Sequence, residues 1–387
     1  MRILVINYEF PPLGGGGGEV SKYLSEGYAR RGHDVKILTA RWGSLSARET
    51  LQERLFIRRI FAFRKQPDNC TPIRMAAFMF MALPEAFKIA RQWKPDIVHC
   101  HFMVPVTPVG FFLKILFHIP FIVTLHGGDV PGHQPAQTAK YFRFIKGFLG
   151  MILKRADGVV SVSEPLRRLA GKSFPDIPII LIPNGVDVDL YHPLETLERE
   201  EEIKFIFSGR FNREKRLDIL LEAIKHLILI GRKGFKVCLA GAGPLEKDLL
   251  NKARDWNLLE TVRFTGWLAR EKVAEELRKS HVFILPSEKE GMPVACLQAM
   301  ASGLPVIGTR IPGIMQIINN RENGILVDAG NHASLSQAME YMLDHRDIAA
   351  LWGKRNREIA YCDFRLDVII NQYLDLFKKI LKNRNVK

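Results

Sequence analysis

Cysteine is scarce in this chain. Five residues, Cys70, Cys100, Cys238, Cys296 and Cys362, are scattered over 387 positions and form no CxxC pair. Scattered and odd in number, they fit a reducing cytoplasm better than secretion. No apolar run reaches the roughly 18–20 residues of a membrane span. The best stretch, "MAAFMFMALPEAF", is interrupted by Pro84 and Glu85. The opening "MRILVINYEF" carries one Arg and an apolar run too short for a signal peptide, so it reads as a buried strand. No glycine run is followed by GK[ST], which excludes a P-loop. The segment "DVKILTA" ends without the Asp or Glu of a dinucleotide site. Low-complexity tracts and RNA- or DNA-binding motifs are also missing, so nucleic acid is not an expected partner.

What is present is a globular composition, 47% apolar, in a chain long enough for two domains. The net charge is +15, unevenly spread. Residues 1–182 hold 25 Lys/Arg against 13 Asp/Glu, while the remainder holds 31 against 28. A basic half beside a nearly neutral one implies an anionic partner for the N-terminal part. "RLFIRRIFAFRK" and "RMAAFMFMALPEAFKIAR" mix Arg and Lys with Phe, Met and Leu as interfacial helices do, which points to an anionic membrane surface. An ordinary solvated face over a core helix is the alternative.

Strand-like runs alternate with helical patterns from end to end. "RILVIN", "DVKILTA", "DIVHCHF", "PFIVTLH", "GVVSVS" and "IILIPNG" lead to the polar, acidic linker "YHPLETLEREEE". Alternation restarts with "IKFIFSG" and runs through "FKVCLAG", "VRFTG", "HVFILPS", "LPVIGT" and "GILVDAG". This predicts an α/β protein of two doubly wound domains, 1–190 and 191–364. The closing helical segment 365–387 is expected to return to the first domain. Ligands of such sheets bind beyond the strand C-termini, so the cleft between the domains is the expected site.

Four motifs carry chemistry. In "HVFILPSEKEGMPVACLQAMASG", Glu290 precedes a helix whose first turn would hold Pro293 and whose end is marked by Gly303. The amides of Gly291, Met292 and Val294 at the helix N-terminus favour a phosphate, and a carboxylate beside them suits a ligand with both hydroxyls and phosphates. Glu290 as a plain capping acid is the alternative. In "FSGRFNREKRLDILLEAI", Arg210 and Lys215 on one strand–helix loop would clamp a diphosphate, with Arg213 and Arg216 as competing neighbours. "LAGAGPL" places Gly241 and Gly243 where a ligand or a simple turn requires close approach. "PPLGGGGGEV" reads as a mobile loop, its amides at Gly15 and Gly16 able to meet phosphate.

Together these motifs resemble the retaining glycosyltransferases of family 4, which have the GT-B fold. The resemblance extends to "GHDVKILT", "PDIVHCH", "TLHGGD", "IPNGVD" and "VRFTGWL", in order and over most of the length. It implies two Rossmann-like domains facing each other across a cleft, the first binding the acceptor and the second the donor. It also implies transfer from a UDP-, GDP- or ADP-sugar with retention and without a divalent metal or other cofactor. By the same resemblance, Arg210 and Lys215 hold the diphosphate, and Glu290 is the first acid of an E-x7-E signature facing the donor sugar. Gly291, Met292, Pro293 and Val294 line the donor. Gln298 stands where the family has its second acid, on the ribose hydroxyls. His126 lies near the reacting sugar, and Glu19 and Asp129 lie on the acceptor side. A Gln serves a ribose diol only as a neutral partner.

Two look-alikes are set aside. Asp187 and Asp189 spell a DxD, but within the turn-like "PNGVD"; His99, Cys100 and His101 alternate along a strand, so neighbours face opposite ways. No metal site is expected. The reading is a cytoplasmic transferase, peripheral on the inner membrane face, acting on a lipid-linked or polysaccharide acceptor in cell-envelope synthesis. The alternatives are an inactive nucleotide-sugar-binding scaffold and a sugar-nucleotide epimerase or phosphorylase of the same fold.

Overall fold

The structure, a computed structural model, describes residues 1–63, 71–133, 135–194 and 202–385, without the side chains of 135–143 and 385. Most of the acidic linker, together with Arg64 and Lys65, lies outside the described residues. The chain divides into two compact units. The first joins Met1–Asn184 to the C-terminal helix Leu366–Asn385, and the second is Gly185–Arg365.

In the first unit the strands are β1 (Arg2–Asn7), β2 (Asp34–Arg41), β3 (Arg48–Gln52), β4 (Leu55–Phe61), β5 (Ile97–His101), β6 (Phe121–Leu125), β7 (Gly158–Ser161) and β8 (Ile179–Leu181). They form one sheet in the order β3-β4-β2-β1-β5-β6-β7-β8, parallel except for the β3–β4 hairpin. β5 and β6 are buried along their whole length, as expected of strands covered on both faces by helices. The C-terminal helix packs on the helix Gly16–Arg30, where Arg31 pairs with Asp367 at 2.7 Å and Tyr28 meets Phe377 edge-on.

The second unit is a wholly parallel sheet of β9 (Ile203–Ser208), β10 (Phe235–Ala240), β11 (Val262–Gly266), β12 (Val282–Leu285), β13 (Val306–Thr309) and β14 (Gly324–Val327). Its order is β11-β10-β9-β12-β13-β14. In each sheet the winding reverses once, between β1 and β5 and between β9 and β12. Adjacent loops diverge at such a point and leave a crevice beyond the strand C-termini.

Three local expectations need correction. "RLFIRRIF" is not an interfacial helix but β4, paired in parallel with β2. Its arginines are used inside the unit: Arg58 donates to both Glu85 oxygens, and buried Arg59 pairs with Glu49 at 2.6 Å. A strand alternates its faces, and Leu55 and Ile57 are buried while Phe56 between them is exposed. Second, the glycine run is mostly helix. Gly16–Arg30 is helical with Gly15 as its N-cap, so only Gly14 and Gly15 remain outside. Third, Pro293 caps the helix Val294–Ala301 rather than lying in its first turn.

Candidate functional site

In the second unit the chain leaves β9 through Gly209 and half-buried Arg210 into a 3-10 turn, Arg213–Lys215. Arg216 is left-handed at φ 48°, and the helix Leu217–Leu229 follows. The next strand in the sheet, β12, releases the segment Pro286 to Pro293. The Glu288 N–H donates to the Glu214 carbonyl at 2.8 Å and ties the two loops together. Across that tie Lys215 Nζ meets Glu290 Oε1 at 2.5 Å, with side-chain exposures of 21% and 10%. Two residues 75 apart in sequence are thus brought together at the reversal of the sheet.

Arg216 is not a competitor of Lys215. Its guanidinium is held by Asp218 and Glu288, and the Asp218 hydrogen bonds push its pKa further up. Arg213 is exposed. The loop behind Glu290 is supported from β13: Gln316 Nε2 donates to the Gly291 carbonyl at 3.3 Å and to Gly313 O at 3.1 Å. A Cβ on Gly313 would run into the Glu290 carbonyl. Gly313 and Gln316 are residues the sequence reading missed, and the only signal was the Pro-Gly pair in "TRIPGIMQ".

Met292 and Pro293 are buried, Gly291 and Val294 half-buried, and the helix start leaves the Val294 N–H without an intrahelical acceptor. Gln298 is half-buried on the same helix, its side chain without a hydrogen-bond partner among the described residues. Between them Cys296 is buried, its thiol pushed up by burial and then by the Glu290 charge. Gly241 and Gly243 serve close approach by protein. A Cβ on Gly243 would lie 2.6 Å from Phe211 O, and one on Gly241 would collide with Gly209 O. The two glycines let "LAGAG" pack on the Arg210 loop.

The first unit's reversal is of another kind. β1 leads to the glycines, β5 ends at His101 and β6 ends just before His126. A Cβ on Gly17 would overlap the Phe102 ring and stand 3.2 Å from His126 Cγ, so glycine is what lets the helix start reach the histidine. His101 Nδ1 and His126 Nε2 are 3.0 Å apart. Behind them His99 bonds Thr124 Oγ1 at 2.8 Å and Tyr28 OH at 3.4 Å. Burial lowers all three histidines, His99 and His126 to about 3, so the cluster is neutral.

Asp129 stands beside this cluster but is occupied. Its buried carboxylate accepts N–H bonds from Met103 at 2.7 Å, His126 at 3.0 Å and Gly127 at 2.9 Å. It fixes the His126 loop, and an acceptor-side contact would have to displace those amides. Glu19 is half-buried on the helix Gly16–Arg30. Asp187 Oδ1 accepts from the N–H groups of Asp189 and Leu190, which makes the "DVD" a turn. No cluster of His, Cys, Asp and Glu among the described residues could hold a metal. No helix among them is long and apolar enough to cross a membrane.

Comparison with known proteins is consistent along the chain. The family model "Glycosyltransferase Family 4" matches residues 14–190, and "Glycosyl transferases group 1" matches residues 193–359. N-acetyl-alpha-D-glucosaminyl L-malate synthase of Bacillus anthracis is 25% identical over 96% of this chain and 96% of its own. A UDP-Gal:alpha-D-GlcNAc-diphosphoundecaprenol alpha-1,3-galactosyltransferase of Escherichia coli is 27% identical over 82% of this chain and 84% of its own. A sucrose-phosphate synthase of Thermosynechococcus elongatus shares the fold with a TM-score of 0.84, at 21% identity over 99% of this chain and 100% of that one.

Proposed function

We propose, from the premise that the chain belongs to glycosyltransferase family 4 and has its GT-B fold, that it moves a sugar from a nucleoside-diphosphate donor to a lipid-linked or polysaccharide acceptor of the cell envelope. The observation that carries this is the Lys215–Glu290 pair at the reversal of the second sheet, beside Arg210 and the helix at Val294. Such a crevice takes a ligand with two demands. Its diphosphate needs cations and helix amides, and its sugar needs a carboxylate for hydroxyls. Lys215 and Arg210 then stabilise the departing diphosphate in place of a metal. In the transfer, the bond from the anomeric carbon to the diphosphate breaks and the acceptor oxygen bonds the same face. The leaving phosphate takes the acceptor's proton, which gives retention without an enzyme nucleophile. The family resemblance alone assigns His126 to the reacting sugar.

Acceptor-dependent release of nucleoside diphosphate from a panel of UDP-, GDP- and ADP-sugars tests the reading, with the product anomer assigned by NMR. An inverted product removes the mechanism; no turnover with any donor, together with tight nucleotide binding, favours the inactive scaffold that Gln298 alone argues for. EDTA should leave turnover intact, and loss rescued by one added metal removes the cation clamp.

The acceptor class rests on the basic first unit, and the place of contact has shifted from the expected arginines. Arg58 and Arg59 are consumed in ion pairs, whereas the helix Pro72–Trp93 exposes Ile73 at 81% and Phe80 at 65% around half-buried Arg74. Those side chains are the proposed contact with an anionic bilayer on the inner membrane face. Ile73→Ser/Phe80→Ser should reduce cosedimentation with anionic vesicles while leaving nucleotide affinity unchanged. Equal binding to neutral and anionic vesicles would remove the electrostatic part.

A further inference from the structure

We propose that His101 is a positioning residue: its Nδ1–H donates to His126 Nε2, which fixes His126 as the tautomer with its own proton on Nδ1. That this proton serves a reacting sugar rests on the function proposed above, whereas the tautomer assignment does not.

The assignment follows from where the other two ring nitrogens lie. Both rings are neutral, because burial lowers both. One proton lies in the 3.0 Å bond between them and each ring carries one, so only two arrangements exist. If His126 donated, His101 would carry its proton on Nε2. That nitrogen is buried and has no hydrogen-bond partner. An orphaned buried N–H is among the rarest features of folded proteins, so this arrangement is the costlier one. The His99 ring gives no relief. Its centroid lies 4.1 Å from that of His101 at an interplanar angle of 36°, nearer to face-to-face than edge-on, so an in-plane N–H is not aimed at its π face.

If His101 donates instead, its Nε2 is a bare lone pair. The cross-strand partner of His101 on β1 is Asn7, whose Nδ2 is also buried without an acceptor, and a bare Nε2 is a complementary group. His126 then carries its proton on Nδ1. Nδ1 has no protein partner among the described residues, and His126 is partly exposed, so this N–H is the one that solvent or a substrate oxygen can reach. His101 is itself immobile. It ends β5 beside β6 in the register His101↔Thr124, and Thr124 holds His99 behind it. The chain of bonds therefore selects one proton position at the accessible end of the cluster.

The test is 15N NMR of histidine-labelled protein at neutral pH, with His101→Asn and His101→Leu for assignment. His126 should show a protonated Nδ1 and a bare Nε2, the reverse of the tautomer that dominates in free histidine. The Asn side chain carries an N–H close to the Nδ1 position, so His101→Asn should retain the His126 tautomer; His101→Leu should shift it toward Nε2–H. In the same variants, His101→Leu should lose turnover by roughly 10²-fold, the scale of a misplaced catalytic group, with donor KM little changed. His101→Asn should keep at least about tenfold more turnover than His101→Leu. A wild-type His126 protonated on Nε2 overturns the proposal whatever the activity. The predicted tautomers with no transferase activity in any form would instead overturn the function and leave the positioning role intact.

Discussion

The two sheets reverse in the same way and furnish their reversals with opposite chemistry. At β9/β12 the crevice holds full charges, with Lys215 against Glu290 and Arg210 nearby. At β1/β5 it holds two buried histidines and a half-buried third, all kept neutral, and a carboxylate already satisfied by three amides. One topology thus supplies two different tools. On the proposed function the charged crevice would bind and stabilise a diphosphate, and the neutral one would hold hydrogen-bond donors in fixed directions without competing for phosphate. The difference teaches that a winding reversal specifies only where a ligand sits. The residues at the strand ends decide what it is.

The largest expected effect breaks the charged side. Arg210→Ala and Lys215→Ala should each lower kcat/KM several-hundredfold, since one contact to developing leaving-group charge contributes about 3–4 kcal/mol. Lys215→Ala should also lower the melting temperature, because it strips the cation from a carboxylate only 10% exposed. Glu290→Gln loses the same ion pair without stranding a buried charge, so its melting temperature should fall less while its turnover still collapses. Wild-type kcat/KM in both Ala variants would dismiss the clamp.

The next effect compares the packing beneath the two crevices. An added methyl at Gly313 meets the Glu290 backbone, which cannot rotate away, whereas at Gly17 it meets first the Phe102 ring, which can. Gly313→Ala should therefore cost about 1–3 kcal/mol in urea unfolding and displace Glu290, and Gly17→Ala should cost less. The reverse order would mean that the first unit's helix start is the more rigid of the two.

How much of this was legible beforehand follows the range of each interaction. Strand–helix alternation placed twelve of the strands, because short continuous apolar runs bounded by turn residues are local signals. β4 reads as an interfacial helix because Arg58 and Arg59 look amphipathic, and only the distant Glu85 and the hairpin partner Glu49 show how they are neutralised. Arg210, Lys215 and Glu290 are singled out by their strand–helix loops and by the family resemblance, yet the direct bond between Lys215 and Glu290 depends on β9 lying beside β12. His101 was weighed as a metal ligand and dismissed. Its bond to His126 depends on the β5–β6 register, which no local pattern encodes.

Acid should distinguish the two crevices at a smaller scale. The histidine pKa values are depressed in the folded state, so below about pH 6.5 the unfolded chain binds protons that the folded one refuses. Stability conferred by the neutral cluster is complete above that pH and is lost as pH falls toward 3. Each histidine weakens the first unit by about 1.4 kcal/mol per pH unit in that window. Asp129, raised by burial, opposes the trend only in part, as a single carboxyl. Hydrogen exchange between pH 7 and 5 should show β5 and β6 losing protection before β9 and β12. Uniform loss across both sheets would remove the histidines as the cause.

The smallest effect sharpens the charged side. Gln298→Glu adds an acid to the crevice that already holds Glu290, and two outcomes compete. A carboxylate accepts a stronger hydrogen bond from a ribose hydroxyl than an amide does. It also adds a negative charge to a site proposed to take a diphosphate, at a helix position too deep for the N-terminal dipole to compensate. Gln298 is half-buried and its side chain has no hydrogen-bond partner among the described residues, so substitution disturbs no internal bond and folding should be unchanged. On the proposed function the hydroxyl contact would be local and the diphosphate would lie with Lys215 and Arg210, so the first effect should prevail, with nucleoside diphosphate affinity equal or a few-fold tighter. Calorimetric titration of both proteins decides it. A tenfold weaker complex in the variant would mean that Gln298 is matched to something other than a ribose diol, and that the neutral side chain is this enzyme's own adaptation to its donor.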